Sequence, residues 1–335
     1  MYHTISLPEY IGQLVRKVPA LANKGYQSYI KDNLFDALAR RYIPACDIFH
    51  AWGNYALISM PNARAYGAKI VIERGSTHPY YQDAILREEC ERYGIEIERA
   101  HKQIIEKGLE EIEEADRVFI PSEFVRRSFI ENGVPGSKLR LIPYGIDLEN
   151  FSPAPKRDSV FRVLFVGNIG IQKGVHYLLE AWKRLALPNA ELVLLGAVDP
   201  GMKNVLARYE GLFVLAGHVK HELLPMWYTN ASVFVLPSLQ EGSALVTYEA
   251  MACGVPLIVS TNTGSVVRDG VDGYVVPIRD VESLQSRIQW MYEHHGESLA
   301  MGTAANEYVQ NYSWSHYGDR VMAEYDDLLS EPGAF

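Results

Sequence analysis

Five short apolar runs recur between residues 162 and 260, separated by stretches of helical character. They are Arg162-Val-Leu-Phe-Val-Gly167, Ala190-Glu-Leu-Val-Leu-Leu-Gly196, Leu212-Phe-Val-Leu-Ala-Gly217, Val233-Phe-Val-Leu236 and Pro256-Leu-Ile-Val-Ser260. Runs this short that are apolar at successive positions fit strands buried on both faces, which occur in parallel sheets covered by helices. Strand and helix in alternation therefore predict an α/β fold with a doubly wound parallel sheet. Such a sheet also fixes where a ligand sits, in the crevice outside the carboxyl ends of its strands. Three of the runs end there in glycine, and Ser238 and Glu241 follow the fourth.

The preceding half reads similarly. Asp47–Trp52, Lys69–Glu73, Arg117–Ile120 and Lys138–Ile142 are predicted strands, and residues 9–23 and 27–41 are predicted helices. Arg87–Asp116 is rich in charge with Ile and Leu at helical spacing, so one long helix with a break near Gly94 is expected. Ser122 heads a further helix, with Glu123 in its first turn and Gly133 as its stop. Phe151–Asp158 is proline-rich, polar and non-periodic, a linker between domains spanning residues 1–152 and 153–312. A chain of 335 residues can hold two such cores.

Composition excludes several classes. No run of eighteen apolar residues is present, and the start Met1-Tyr-His-Thr-Ile-Ser-Leu-Pro8 lacks the regions of a signal peptide. Net charge is −9, divided as −2 over residues 1–153 (19 basic, 21 acidic) and −7 over residues 154–335 (13 basic, 20 acidic). That balance argues against nucleic acid as a partner. Residues 1–45 carry six basic against three acidic side chains, which fits a solvated helix face and leaves a peripheral membrane contact open. The three cysteines (Cys46, Cys90, Cys253) are in no metal-ligand spacing and fit reduced thiols in a cytoplasm. No metal site is expected.

The run Pro237-Ser-Leu-Gln-Glu-Gly-Ser-Ala-Leu-Val-Thr-Tyr-Glu-Ala-Met-Ala-Cys-Gly-Val-Pro256 carries the most chemistry. It reads as a turn, a helix from Ala244 to Cys253, and a stop at Gly254 and Pro256. Glu241 and Glu249 stand at either side of the turn-to-helix join. Gly242 lets the backbone turn sharply and approach a bound group closely. Amides at a helix start can hold phosphate, and carboxylates beside it accept hydrogen bonds from sugar hydroxyls, which points to a sugar nucleotide.

This run closely resembles the E-x7-E signature of retaining glycosyltransferases of the GT-B fold, specifically family 4 (group 1). Asp47–Gly53, Ala115–Ser122, Leu141–Asp147, Phe165–Gly174 and Gly270–Pro277 resemble the family in order and spacing, covering almost all of the chain from about residue 45. The resemblance implies two facing Rossmann-like domains, with a final helix in residues 313–335 crossing back to the first. It implies transfer of a sugar from a nucleoside-diphosphate sugar to a hydroxyl acceptor, without metal and with no cofactor beyond that co-substrate.

By the same resemblance Lys173 neutralises the departing phosphate, Glu241 contacts the donor sugar and Glu249 holds the ribose hydroxyls. His78 faces the donor sugar and positions it. Gly167, Asn168, Val219, Gly242, Ser243, Ala244 and Leu245 complete the donor site, with Ser243 evenly balanced between that role and a plain N-cap. His50 is expected to pack beneath the site.

Two departures stand out. The family's arginine after the strand glycine is Asn168 here, an amide without charge. The family's opening strand and glycine-rich loop are also absent, so the chain is expected to begin inside the first domain, through a misassigned start or a true shortening. Both departures keep a second reading in view: a donor-binding or partner-dependent subunit with little activity of its own. An epimerase or phosphorylase on the same fold is a weaker third, and no covalent-cofactor lysine motif supports a phosphorylase.

Overall fold

The computed structural model describes residues 24–96 and 101–331. The helix expected over residues 9–23 lies outside the described residues.

The first half builds a four-stranded parallel sheet in the order β1 (Ile48–Trp52), β2 (Lys69–Glu73), β3 (Arg117–Ile120) and β4 (Leu139–Leu141). Register pairs His50 with Val71, Ile72 with Val118 and Phe119 with Arg140. The two-residue period of a strand sends alternate side chains to opposite faces. Ile70, Ile72, Val118 and Ile120 accordingly pack with Met60, Ala63, Val125 and Phe129 of the crossover helices α2 (Met60–Ala65) and α5 (Glu123–Glu131). Val71 and Phe119 face the other way, onto Leu328, Tyr317, Val321 and Tyr325 of the last helix, α12 (Trp314–Ser330). The C-terminal helix thus returns to the first sheet, and Tyr317 fixes it there by donating its hydroxyl to Glu73 at 2.9 Å.

Ser122 caps α5 by accepting the Val125 N–H at 3.2 Å, and Gly133 ends it in the left-handed region. Buried charge fixes the loop between β1 and α2. Asp36 of α1 (Lys24–Ala39) accepts the Ile58 and Ser59 N–H groups and pairs with Lys107 at 2.9 Å. Glu111 accepts the Ala56 and Leu57 N–H groups. Buried backbone donors need such partners, and here two helices supply them from across the fold.

The long helix breaks at Gly94 as expected, into two helices. One, α3 (Pro79–Tyr93), starts eight residues before Arg87, with Pro79 at its first position and His78 as N-cap. Gly94 ends it at φ +64°, and α4 (Lys102–Glu114) follows.

The second half is a six-stranded parallel sheet in the order β7-β6-β5-β8-β9-β10. Its strands are β5 (Phe161–Val166), β6 (Ala190–Leu195), β7 (Val214–Gly217), β8 (Val233–Leu236), β9 (Leu257–Ser260) and β10 (Gly273–Val276). The edge strand β10 lies outside the five sequence runs. Counted within this half the order is 3-2-1-4-5-6, in which the winding reverses between β5 and β8. The crevice at that reversal is where the sequence places its candidate residues.

Candidate active site

Two loops meet at the reversal point. After β5, Gly167 and Asn168 lead into a single turn, Ile171–Lys173, and then α6 (Val175–Lys183). After β8, Pro237–Ala244 leads into α9 (Leu245–Ala252). The Leu239 N–H donates to the Gln172 carbonyl at 2.8 Å, and the Gln172 amide donates to the Gln240 carbonyl at 3.0 Å. Gly174, at φ +65°, permits this approach, since a Cβ there would collide with the Pro237 carbonyl. The zipped loops bring Lys173 Nζ to 2.6 Å from Glu241 Oε1, both side chains mostly sheltered. A cation and a carboxylate separated by 68 positions in sequence thus form one ion pair at the crevice.

The first half closes over this pair. Ser122 Oγ donates to the Gly242 carbonyl at 2.6 Å, and the Gln240 amide reaches Ser76 and Thr77 hydroxyls at 2.8 Å each. A side chain at Gly242 would strike the Gly75 carbonyl, so only glycine allows the two halves to touch here. His78 stands at the end of the same Gly75–His78 loop and is buried. Its Nδ1 accepts the Tyr80 N–H at 3.3 Å, which places the imidazole proton on Nε2. Burial, assisted by the charge of Arg74, pushes its pKa down to about 4. A neutral imidazole with Nε2–H can donate a hydrogen bond to a sugar oxygen but is no proton source near neutrality.

That neutrality has a stability consequence. The folded pKa lies below the ordinary value of 6.5, so the stabilisation is complete above pH 6.5 and is lost as pH falls towards 4. The loss should reach roughly 3 kcal/mol at pH 4. Urea midpoints between pH 7 and 4 should fall less steeply for His78→Gln than for the unsubstituted protein, and parallel slopes would contradict the assignment.

Glu249 lies apart from the Lys173–Glu241 pair. Its Oε2 accepts the buried Tyr228 hydroxyl at 2.7 Å, and its Oε1 is 3.2 Å from His221 Nε2. Neither His221 nor Tyr228 is legible as a site residue in the sequence, because no local spacing links them to Glu249. A cavity of about 350 Å³ opens beside β5 and is walled by Gly167, Asn168, Gly196, Val219, His221 and Leu224. Asn168 turns its amide to Asp199 at 2.7 Å, towards the loop after β6.

Ser243 is not an N-cap. Its hydroxyl pairs with Tyr248 at 3.1 Å, and Ala244 occupies the cap position without a side-chain bond. The leading N–H groups of α9 therefore have no side-chain cap, a feature suited to an anion. Ala244 is buried and Leu245 is exposed at the helix start. His50 is 3.4 Å from Glu73 and bonded to Tyr325, so it packs between the first sheet and the last helix. Among the described residues no group of three or more potential metal ligands occurs, and no helix is long and apolar enough to cross a membrane.

Comparison with known proteins gives the architecture its family. The Glycosyltransferase Family 4 model matches residues 4–150, and the model described as Glycosyl transferases group 1 matches residues 160–294. The D-inositol 3-phosphate glycosyltransferase of Kribbella flavida is 29% identical over 241 residues, 64% of this chain and 57% of that protein. The chain thus spans little more than half the length of such relatives. A GDP-mannose-dependent alpha-(1-6)-phosphatidylinositol monomannoside mannosyltransferase of Mycolicibacterium smegmatis is 27% identical, over 87% of this chain and 78% of its own. Among solved structures, sucrose-phosphate synthase of Thermosynechococcus elongatus superposes with a TM-score of 0.72 at 23% identity, over 90% of this chain and 79% of that one. Anabaena HepE in complex with UDP gives 0.69 at 16% identity, over 89% and 82%. With both halves matched by family models and two parallel sheets in the GT-B arrangement, the chain belongs to the family 4, or group 1, glycosyltransferases.

Proposed function

We propose that the protein is a retaining, metal-independent glycosyltransferase that moves a sugar from a nucleoside-diphosphate sugar to a hydroxyl acceptor. The observation that carries this reading is the Lys173–Glu241 pair, held at the crevice beside the uncapped start of α9. A donor diphosphate entering there would draw the Lys173 ammonium from Glu241 and leave that carboxylate to accept a sugar hydroxyl. As the bond from the sugar's anomeric carbon to the phosphate oxygen breaks, its electron pair goes to the diphosphate. Lys173 and the α9 amides stabilise that charge. The acceptor hydroxyl attacks from the same face and passes its proton to the departing phosphate oxygen. His78, neutral, donates to the sugar and orients it. The name of a relative that depends on GDP-mannose, and that of a neighbour that holds UDP, support a nucleotide-sugar donor.

Asn168 favours the second reading, a donor-binding subunit of low intrinsic activity. Its uncharged amide is engaged by Asp199, so it brings no cation to the diphosphate. Turnover separates the two. UDP-, GDP- and ADP-sugars incubated with the protein and simple glycoside acceptors in EDTA should release nucleoside diphosphate, and proton NMR should show the donor's anomeric configuration kept. Inverted product would overturn retention, and dependence on added divalent metal would overturn the metal-free mechanism. Binding without turnover would favour the subunit.

A further inference from the structure

Glu249 has an internal partner in the place where a nucleotide would have to reach it. Glu249 is only 5% exposed, and the cavity beside β5 is walled by His221 rather than by Glu249. His221 Nε2 lies 3.2 Å from Oε1, on the cavity side, while Tyr228 holds Oε2 from within the core. The two partners differ in freedom. Tyr228 is fully buried, whereas the His221 side chain is 66% exposed and rests edge-on against Phe151, with ring centroids 5.2 Å apart. Being mostly exposed, it can swing outward while Tyr228 stays in place.

We infer that His221 is the resident occupant of the ribose position on Glu249, displaced when a nucleoside diphosphate binds, and that it sets the affinity and hydroxyl dependence of that site. The inference rests on the reading of Glu249 as the ribose-holding carboxylate. A ribose offers two adjacent hydroxyls, and each can donate to a carboxylate oxygen. Their entry exchanges one protein hydrogen bond for ligand hydrogen bonds, so the free protein's His221–Glu249 contact opposes binding. Lys173 and Glu241 present the same design at the diphosphate end, where an internal ion pair must also open.

The test is calorimetric titration of the full chain with UDP, GDP and ADP, and with the 2′,3′-dideoxy form of whichever binds best. His221→Ala should bind the ribonucleotide about two- to tenfold more tightly, the effect of one hydrogen bond no longer broken. The dideoxy nucleotide, which cannot replace His221 on Glu249, should show no such gain. His221→Gln keeps a donor for Glu249 and should stay near the unsubstituted affinity. A folding defect could only weaken binding, so a gain is not open to that explanation. Unchanged or weaker ribonucleotide binding by His221→Ala overturns the inference while leaving the donor site intact. Absence of nucleotide binding in the unsubstituted protein overturns both.

Discussion

Glu89→Ala should destabilise the protein by about 3–5 kcal/mol, the cost of leaving buried partners of a charge uncompensated. Glu89 is fully buried on α3 of the first half, yet its bonds go to the second. His176 Nε2 lies 3.0 Å from Oε1, the Tyr177 hydroxyl donates to the same oxygen, and Arg279 Nε donates to Oε2 at 2.7 Å. Burial acts to raise this carboxyl's pKa, but the bonds from His176 and Tyr177 and the nearby charges outweigh it and hold it below the ordinary range. Arg279 adopts φ +64°, a conformation that disfavours ordinary side chains, while its guanidinium reaches α3. Truncating Glu89 would leave the guanidinium with Glu88 alone, take the acceptor from His176 and Tyr177, and loosen the junction that holds the Gly75–His78 loop against Gly242. Urea unfolding at pH 7 measures the loss, and a change below about 1 kcal/mol, against the expected range, would show that the cluster contributes little. Because the folded pKa is depressed, this stabilisation is complete above the ordinary carboxylate pKa and fades as pH falls below it.

Lys173→Ala should reduce kcat/KM for the donor by about 30- to 1000-fold, corresponding to roughly 2–4 kcal/mol for a preorganised charge at the leaving group. Lys173 sits in the turn Ile171–Lys173 and its ion pair goes to Glu241 in the facing loop, not to a strand, so the thermal midpoint should move little. Kinetics at saturating acceptor check the first expectation, and a decrease smaller than about threefold would remove Lys173 from the reaction. Release of Glu241 from its partner in this variant should not compensate, since a lone carboxylate beside the diphosphate repels it.

Much of this was readable before any coordinates. Lys69–Glu73 and Arg117–Ile120 form strands with the expected bounds because each is an apolar run closed by charged or turn residues. Glycines and helix formers around Glu241 and Glu249 predicted the turn and α9 for the same local reason. What the sequence does not display depends on distance. Glu89, Lys107 and Glu111 lie in a stretch whose charge reads as solvent-facing, and they are buried because their partners arrive from other elements. The helix expected from Arg87 starts earlier, at Pro79, because proline's missing N–H and fixed φ suit the first helical position. Ser243 has the chemistry of a cap, but Tyr248 claims its hydroxyl. His221 and Tyr228 reach Glu249 across 28 and 21 residues, beyond any motif.

The central claim is that a nucleoside diphosphate binds where β5 and β8 diverge, through the chain's own cation and amides. Calorimetric titration of UDP, GDP and ADP into the full chain, with and without EDTA, tests it most directly when repeated with Lys173→Ala. One nucleotide should bind at a single site, unaffected by EDTA, and Lys173→Ala should weaken it. Failure of all three to bind, or binding that disappears on chelation, would contradict the account.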